Sequence, residues 1–279
     1  MQKLFDQLAD QCSRKVTGIY STSFSMAVKM LRPKIQGDIH AVYGFVRLAD
    51  EIVDTFHEYD KESLLNEFEM NLWNSIDRKI SLNPVLHSFQ KVVNKYDIDI
   101  DLIKAFIKSM RADLHKRDYI TKQGYQDYIS GSADVVGLMC LKIFVNGNSE
   151  LYTTLKIPAM KLGSAFQKVN FLRDIKDDGE LLNRSYFPHL IDGKICNETK
   201  TKIIKEIEKD FDQAYEGIVK LPAEAKFGVY TAYVYYRRLL TKLKRINAEQ
   251  LREKRVRVSN PMKVALLLRS YFNYQLNLL

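Results

Sequence analysis

The sequence has 279 residues, of which only 12 are glycine and 6 are proline, so a many-turned sheet protein is disfavoured and an all-α fold is predicted. Three cysteines, Cys12, Cys140 and Cys196, form no Cys-x-x-Cys pair, so the sequence suggests neither a disulfide framework nor a thiolate metal site. The formal net charge of +9 favours anionic partners, but no zinc finger, RNA-binding signature or Gly-rich phosphate loop supports nucleic acid.

No segment has the pattern of a secretory signal or a membrane span. Residues 1–14 lack the apolar core of a signal peptide. The longest apolar run, Val135 to Val145, contains Lys142 and is shorter than the ~18 apolar residues that a span needs. These features predict a cytoplasmic protein, either soluble or peripheral on the inner face of the membrane.

The organisation of the chain is uniform. No internal repeat, low-complexity tract or Pro/Ser-rich linker divides it, so residues 1–279 are predicted to form a single domain. Apolar residues recur at helical spacing between the scattered glycines and prolines, as at Ile103, Phe106, Ile107 and Met110. This periodicity predicts roughly eight or more helices.

The first polar stripe lies between residues 43 and 54. Asp50 and Asp54 are four residues apart, and at about 100° per residue they share one face of a helix. Tyr43 and Arg47 fall on the same stripe. The sequence therefore predicts a helix that presents two carboxylates, a phenol and a guanidinium together.

A second stripe lies between residues 167 and 178. Gln167, Asn170, Asp174 and Asp178 fall within an arc of roughly 80° on one helix. The usual explanation of a single Asp-x-x-x-Asp is the solvated side of an amphipathic helix. Three lysines lie on roughly the opposite arc and are expected to form that solvated side, which leaves the aspartates facing inward. They are Lys161, Lys168 and Lys176.

Two inward-facing aspartate pairs require cations, because an unpaired buried charge is too costly. Carboxylate oxygens suit Mg²⁺, which usually binds through one or two carboxylates together with substrate phosphates. We therefore expect Mg²⁺, with Mn²⁺ as the alternative ion, and a diphosphate substrate. Arg47 and Arg173, each beside an aspartate pair, are expected to donate to phosphate oxygens.

A diphosphate held in this way is a neutralised leaving group, so its carbon–oxygen bond ionises without a nucleophile or a general base. Such ionisation needs a stabilised cation, and an allylic prenyl diphosphate is the obvious source. Its chain requires a long apolar tunnel. Aromatic side chains are expected to line this tunnel, although core packing is the alternative for each; they are Phe24, Phe45, Phe166 and Phe171.

Several blocks of the sequence, in order, resemble the squalene and phytoene synthase family of the isoprenoid synthase fold. The blocks run from about residue 20 to about residue 263. They are Ser21-Thr-Ser-Phe24, the segment from Ala41 to Asp54, Tyr128-Ile-Ser-Gly-Ser-Ala133-Asp-Val-Val-Gly137, and Gln167 to Asp178 followed by Arg184-Ser-Tyr186-Phe-Pro188. The resemblance implies a single all-α domain whose helices surround a central cavity.

The resemblance also implies residue roles. The catalytic metal ligands would be Asp50, Asp54, Asn170, Asp174 and Asp178. The substrate-binding residues would be Ser21, Phe24, Tyr43, Arg47, Tyr128, Ala133, Gly137, Gln167, Asn170, Arg173, Tyr186, Tyr236 and Arg255. Asp134 stands where relatives frequently carry glycine, and we interpret it as a hydrogen-bonded residue on an outward helix face rather than as a catalytic group.

A basic stretch from Arg237 to Arg257 contains leucines between its charges. Such a helix is expected to rest on an anionic membrane, and a solvated helix face is the alternative.

The five histidines show no metal-ligand spacing.

The resemblance implies a magnesium-dependent prenyltransferase that joins two geranylgeranyl diphosphates into phytoene, in carotenoid biosynthesis, without NADPH. One alternative is a squalene or dehydrosqualene synthase that uses farnesyl diphosphate, with NADPH needed for squalene only. The other is an inactive relative that serves as an assembly factor. The oligomeric state is not predicted.

Overall fold

The computed structural model describes residues 2–115, 121–180, 186–188, 195–251, 253 and 255–276, with all their side chains except those of 177–180. These residues form thirteen α-helices and no strand, which confirms the all-α prediction. The helices are α1 (Gln2–Tyr20), α2 (Thr22–Val28), α3 (Pro33–Asp54), α4 (Lys61–Arg78), α5 (Pro84–Tyr96), α6 (Ile100–His115), α7 (Lys122–Ile129), α8 (Val135–Val145), α9 (Ser149–Glu180), α10 (Asn197–Ile218), α11 (Ala223–Arg245), α12 (Ala248–Leu251) and α13 (Asn260–Gln275).

Local sequence signals set several helix ends. Asp60 caps α4 by accepting a hydrogen bond from the backbone N–H of Ser63 at 3.0 Å. Asn83 caps α5 in the same way, and Pro84 occupies the first turn of that helix. Lys79 directly follows α4 and Asp97 directly follows α5. Each adopts a left-handed backbone conformation, which ends its helix.

A first apolar core surrounds α3. Phe45 is fully buried, with its ring centroid 4.0 Å from that of Phe89 and 5.3 Å from that of Phe106. Ile52 and Val53 extend this core along the same side of the helix. The opposite side of α3 is therefore left for the polar stripe.

The long helix α9 packs on α8 and α10, and a second apolar core lies where α9, α10 and α11 meet. Phe211 of α10 and Leu243 of α11 are fully buried there. Leu239 and Leu240 are buried in the same core, so the leucines of the basic stretch pack inside the protein and do not form an outer apolar face. The expected membrane contact stays a prediction.

The lysine side of α9 is not the solvated face that the sequence suggested. Lys168 is only 6% exposed and donates a hydrogen bond to Asp210 of α10 at 2.7 Å. Lys161 forms a second ion pair with Asp210 at 3.1 Å. That expectation was wrong because α10 covers this arc of α9 and supplies matching carboxylates.

A π-helical segment, Ser130–Asp134, joins α7 to α8. Asp134 lies at its end, is 8% exposed, and accepts a hydrogen bond from Ser164 of α9 at 2.7 Å. The prediction that Asp134 is hydrogen-bonded is confirmed, whereas its placement on an outward face was wrong. The stretch Lys122–Val145, which includes this segment, is the one described helix with the length and hydropathy of a membrane span.

Of its most apolar 18-residue window, 61% is buried within the protein. We interpret the stretch as a core helix, because its apolar side chains pack mostly against other helices. The organisation of residues 1–279 as a single domain stays a prediction.

Candidate active site

A cavity of about 550 Å³ lies between α2, α3, α8, α9 and α11. Buried apolar side chains such as Phe106 and Leu141 line one part of it. Its polar lining includes Asp50 and Arg255, whose side chains are 35% and 40% exposed. The cavity therefore combines an apolar interior with a charged region that reaches solvent.

Helix α3 supplies the first charged wall. Its predicted stripe lines the cavity as a set: Tyr43, Arg47, Asp50 and Asp54. Arg47 donates hydrogen bonds to the carboxylates of Asp50 and Glu51, three and four residues further along the helix. Burial lowers the pKa of Arg47, but the charges of Asp50 and Glu51 outweigh this and raise it, so Arg47 stays charged.

The guanidinium of Arg47 has a buried donor atom that remains unsatisfied. Its Nε has no hydrogen-bond partner among the residues that the structure describes. The Cζ atom lies 4.3 Å from the ring centroid of Tyr20, which holds the guanidinium flat. A buried donor without a partner is costly, and an oxygen of an anionic ligand would satisfy it.

Helix α9 supplies the second charged wall, with Gln167, Asn170, Arg173 and Asp174 in the cavity lining. Arg173 Nε donates to Asp174 Oδ1 at 2.8 Å. Arg255 Nε also lies 2.8 Å from Asp174 Oδ1, although the two residues are 81 positions apart. Two guanidinium groups thus converge on one carboxylate. Burial lowers the pKa of Arg173, but the hydrogen bond and the charge of Asp174 outweigh this effect and raise it.

Phenol groups connect the walls to the interior. Burial raises the pKa of Tyr43 to about 12, so its hydroxyl stays a neutral hydrogen-bond donor. The Tyr43 ring stacks on Phe24 with centroids 4.9 Å apart. Ser21 caps α2 by accepting from the backbone N–H of Phe24 at 3.3 Å, which positions that ring. Tyr236 donates to Asn170 Oδ1 at 3.3 Å.

Two aromatic pairs line the cavity beyond the charged region. Phe166 stacks on Tyr236 with centroids 4.0 Å apart, and Phe171 stacks on Tyr186 with centroids 3.9 Å apart. Tyr128 lies close to the second pair, and its hydroxyl donates to Asp113 at 2.7 Å. These rings offer their faces next to the polar groups, an arrangement that stabilises cations.

Small residues allow the π-helical segment and α8 to approach α9. A Cβ atom added to Gly137 would lie 2.7 Å from the carbonyl oxygen of Ala159. One added to Gly163 would lie 2.5 Å from the carbonyl oxygen of Ala133. Ala133 and Gly137 also line the cavity, so these small residues permit close helix packing and at the same time leave backbone accessible to a ligand.

The donor set of the two walls fits a hard cation that arrives with its ligand. Among the side chains that the structure describes, no three His, Cys, Asp or Glu are grouped to hold a metal ion alone. Asp50, Asp54 and Asp174, with the amide of Asn170, provide oxygen ligands in small numbers on each wall. Mg²⁺ is usually bound by one or two carboxylates plus substrate phosphates, and these residues match that requirement.

The cavity gathers the predicted site residues whose side chains are described. All of them line it: Ser21, Phe24, Tyr43, Arg47, Asp50, Asp54, Tyr128, Ala133, Gly137, Gln167, Asn170, Arg173, Asp174, Tyr186, Tyr236 and Arg255. The side chain of Asp178 lies outside the described part of the structure. Their catalytic and binding roles stay predictions.

Phe45 does not line the cavity; the tunnel interpretation was wrong for this residue, which is fully buried in the apolar core. Phe24, Phe166 and Phe171 do line it.

Sequence reasoning missed three residues of this site. Gly163 stands four positions before Gln167, so helical spacing could have placed it on the same stripe. Glu51 follows Arg47 by four positions, the spacing of a helical ion pair. Asp113, the partner of Tyr128, carries no local signal because the hydrogen bond joins different helices.

Comparison with known proteins identifies the family. Residues 19–191 match the family model described as squalene/phytoene synthase, which is more than half of the chain. The chain belongs to the squalene/phytoene synthase family. It is therefore a member of a family of head-to-head isoprenoid synthases.

Two curated relatives in this family are named phytoene synthases. Phytoene synthase 1 of Solanum lycopersicum is 26% identical over 86% of this chain, and the match covers 62% of the tomato protein. The chain thus spans about three fifths of that relative. Phytoene synthase of Arthrospira platensis is 26% identical over 83% of this chain and 82% of its own length.

Solved structures show the same fold. A dehydrosqualene synthase in complex with a ligand superposes with a TM-score of 0.81 at 20% identity, over 97% of this chain and 98% of that chain. A squalene synthase from Alicyclobacillus acidocaldarius gives a TM-score of 0.74 at 20% identity, over 86% and 94% of the two chains. The predicted isoprenoid synthase fold is confirmed.

Proposed function

We propose that this family member condenses two geranylgeranyl diphosphates head to head into phytoene, as a step of carotenoid biosynthesis. The observation that carries the proposal is the meeting of the α3 and α9 stripes in the lining of one cavity with an apolar interior. The curated relatives named phytoene synthase favour phytoene over the thirty-carbon alternatives, squalene and dehydrosqualene.

In this proposal the metal ligands are Asp50, Asp54, Asn170, Asp174 and Asp178, and the ion is Mg²⁺ or Mn²⁺. The bound ion would neutralise the charge of a departing diphosphate. The arginines supply the rest of the anion binding. Arg47 offers its unpartnered Nε, while Arg173 and Arg255 already lie together at Asp174. Their forked donors match phosphate oxygens.

The first step breaks the carbon–oxygen bond of one substrate and releases diphosphate. The allylic double bond of the second substrate, next to its diphosphate-bearing carbon, donates its electron pair to C1 of the allylic cation. Loss of a proton from that C1 closes a cyclopropyl ring whose neighbouring carbon still carries the second diphosphate. Phe166, Phe171, Tyr186 and Tyr236 can stabilise the cations with their ring faces. The apolar interior excludes water, which would otherwise capture them.

The second step releases the remaining diphosphate, rearranges the carbon skeleton and loses another proton to give a forty-carbon hydrocarbon. Two substrates therefore yield phytoene, two diphosphates and two protons. No hydride is consumed, so NADPH is not required.

Product analysis tests the proposal. The purified full chain is incubated with Mg²⁺ and either geranylgeranyl or farnesyl diphosphate, with and without NADPH, and the hydrocarbons are identified by mass spectrometry. We expect a forty-carbon product from geranylgeranyl diphosphate that is independent of NADPH. A thirty-carbon product alone would instead support the farnesyl alternative, for which the likeness to a dehydrosqualene synthase structure is the supporting observation.

A non-catalytic assembly factor would give no product from either substrate. A scaffold would also show no difference between the wild type and Asp50→Asn in any turnover measurement. The intact carboxylates of both walls favour an enzyme.

A further inference from the structure

Helix α13 carries an exposed apolar face. Five large side chains form it, and their exposed fractions are 53% for Val264, 54% for Leu268, 46% for Tyr271, 59% for Phe272 and 65% for Leu276. At about 100° per residue they occupy a continuous arc of roughly 140°. We call this arc the α13 face. It is contiguous, unlike the single exposed apolar residues that are normal on a protein surface.

The inner side of α13 is firmly attached to the protein. Ser270 is 1% exposed, and the ring of Tyr274 packs against Phe227 of α11 with centroids 5.2 Å apart. Tyr271, at the edge of the α13 face, touches the same Phe227 ring edge-on. Asn273 donates to the hydroxyl of Tyr230 at 3.2 Å. Because α11 fixes the rotation of α13, the α13 face points away from the protein.

The charge around this face has one sign. After Glu253 the sequence contains no acidic residue, but it contains Lys254, Arg255, Arg257, Lys263 and Arg269. By helical spacing Arg269 lies about 20° beyond the Leu276 edge of the apolar arc, whereas Lys263 lies on the inner side, close to buried Ser270. A helix with an apolar face, interfacial aromatic rings and flanking basic residues is typical of attachment to an anionic lipid surface.

The position of α13 relates this face to the cavity. Lys263 Nζ donates to the hydroxyl of Thr22 at 3.2 Å, beside Ser21 of the cavity lining. Arg255, which is 40% exposed, lies in the charged part of the same lining and five residues before α13 begins. The face thus lies next to the charged region that reaches solvent.

We propose that the α13 face docks this protein on an anionic lipid bilayer, with Val264, Leu268, Tyr271, Phe272 and Leu276 inserted among the lipids and Arg269 at the headgroups. The charge complementarity and the aromatic rings carry this choice of a lipid bilayer over a second copy of the chain. The proposal concerns binding and does not depend on which hydrocarbon is made.

Vesicle co-sedimentation of the full chain, without substrate, tests it. Wild type is expected to bind vesicles of phosphatidylcholine and phosphatidylglycerol more tightly than phosphatidylcholine alone, and more weakly at high salt. The double variant Leu268→Glu/Phe272→Glu should lose about tenfold or more in affinity. Arg269→Gln should lose about fivefold on the anionic vesicles only, because one basic residue near an anionic surface contributes about that much.

The matched control is Leu82→Glu, because Leu82 is 93% exposed and precedes α5 rather than α13. It should bind as wild type does. Circular dichroism establishes that the variants are folded, and the milder Phe272→Ser serves if the double variant is not. The proposal is overturned if wild type binds anionic and neutral vesicles equally well. It is also overturned if a folded Leu268→Glu/Phe272→Glu or Phe272→Ser variant binds as wild type does. So does a wild-type dimer that Leu268→Glu/Phe272→Glu converts to a monomer while vesicle binding is unchanged.

Discussion

The two walls of the cavity are supported in different ways. Behind α3 the packing is apolar, with Phe45 fully buried between Phe89 and Phe106. Behind α9 an ionic cluster is added to the second apolar core, since buried Lys168 donates to Asp210 at 2.7 Å and also to Glu206. The support behind Phe45 of α3 is therefore hydrocarbon, whereas that of α9 combines hydrocarbon with buried charges.

Because of this difference, the two walls should respond differently to changes in side-chain volume and in pH. The packing around Phe45 contains no ionisable group, so this part of the α3 wall should depend on side-chain volume and little on pH. The ion pairs behind α9 act electrostatically on buried Asp134, which accepts a hydrogen bond from Ser164. The energies of these interactions depend on which groups are charged. Four experiments, from the largest expected effect to the smallest, test this contrast.

Core substitutions behind each wall should both destabilise the protein, but only one should be repairable. Phe45→Ala should lower the free energy of unfolding by about 3–5 kcal/mol through lost contacts and a cavity. Lys168→Met should lower it by about 3 kcal/mol, because Asp210 then keeps, among the described residues, the ion pair with Lys161 alone. Urea unfolding followed by circular dichroism measures both losses.

The repair distinguishes the two kinds of support. Lys168→Met/Asp210→Leu should regain part of the loss, since replacing a buried ion pair by apolar residues is often neutral or better. A double variant as unstable as the sum of its single changes contradicts the ionic account of the α9 wall.

Neutralising one carboxylate on each wall should have similar effects on turnover. Asp50→Asn and Asp174→Asn should each lower kcat by about 10²–10³-fold, because each removes charge that stabilises the ionising bond. The double variant should lose little more than either single one if the walls act as a unit. The control Asp101→Asn, at a side chain 84% exposed on α6, should keep normal turnover.

Arg255 offers a smaller test of the α9 wall. Arg255→Lys should lower kcat/KM by about tenfold, mainly through KM, because a lysine keeps the charge but not the forked donors. Arg257→Lys, two positions further along and outside the cavity lining, is the matched control. Equal kinetics for the two variants would remove Arg255 from the diphosphate site.

The smallest effect concerns pH. Burial raises the pKa of Asp134 to about 6 from a usual value of 3.8, although the Ser164 hydrogen bond lowers it. The folded protein then favours the protonated acid, so this stabilisation is present at low pH and is lost as pH rises through about 6. Wild type should lose roughly 1 kcal/mol relative to Asp134→Asn between about pH 5 and pH 7.5.

Urea unfolding of both proteins across that range measures the difference. A difference that is constant with pH would mean that Asp134 titrates normally.

The stripe on α3 was predictable because its residues follow one another at helical spacing, and Arg47 finds Asp50 and Glu51 within the same helix. The same helical spacing places Phe45 outside the tunnel. Phe45 is two residues from Tyr43 and two from Arg47, and residues two apart lie on opposite faces of a helix. Lys168 was misassigned for another reason: its partners lie 38 and 42 residues away on α10.

The sequence by itself determined the helices, their polar stripes and the family blocks, because periodicity and capping act over a few residues. The tertiary structure decided which stripes share a cavity, which charges are buried, and that Arg255 reaches Asp174 across 81 positions. Those outcomes depend on contacts between distant segments, whose energies no local spacing encodes. The exposed face of α13 belongs to both, since the sequence sets its apolar arc and packing on α11 turns that arc outward.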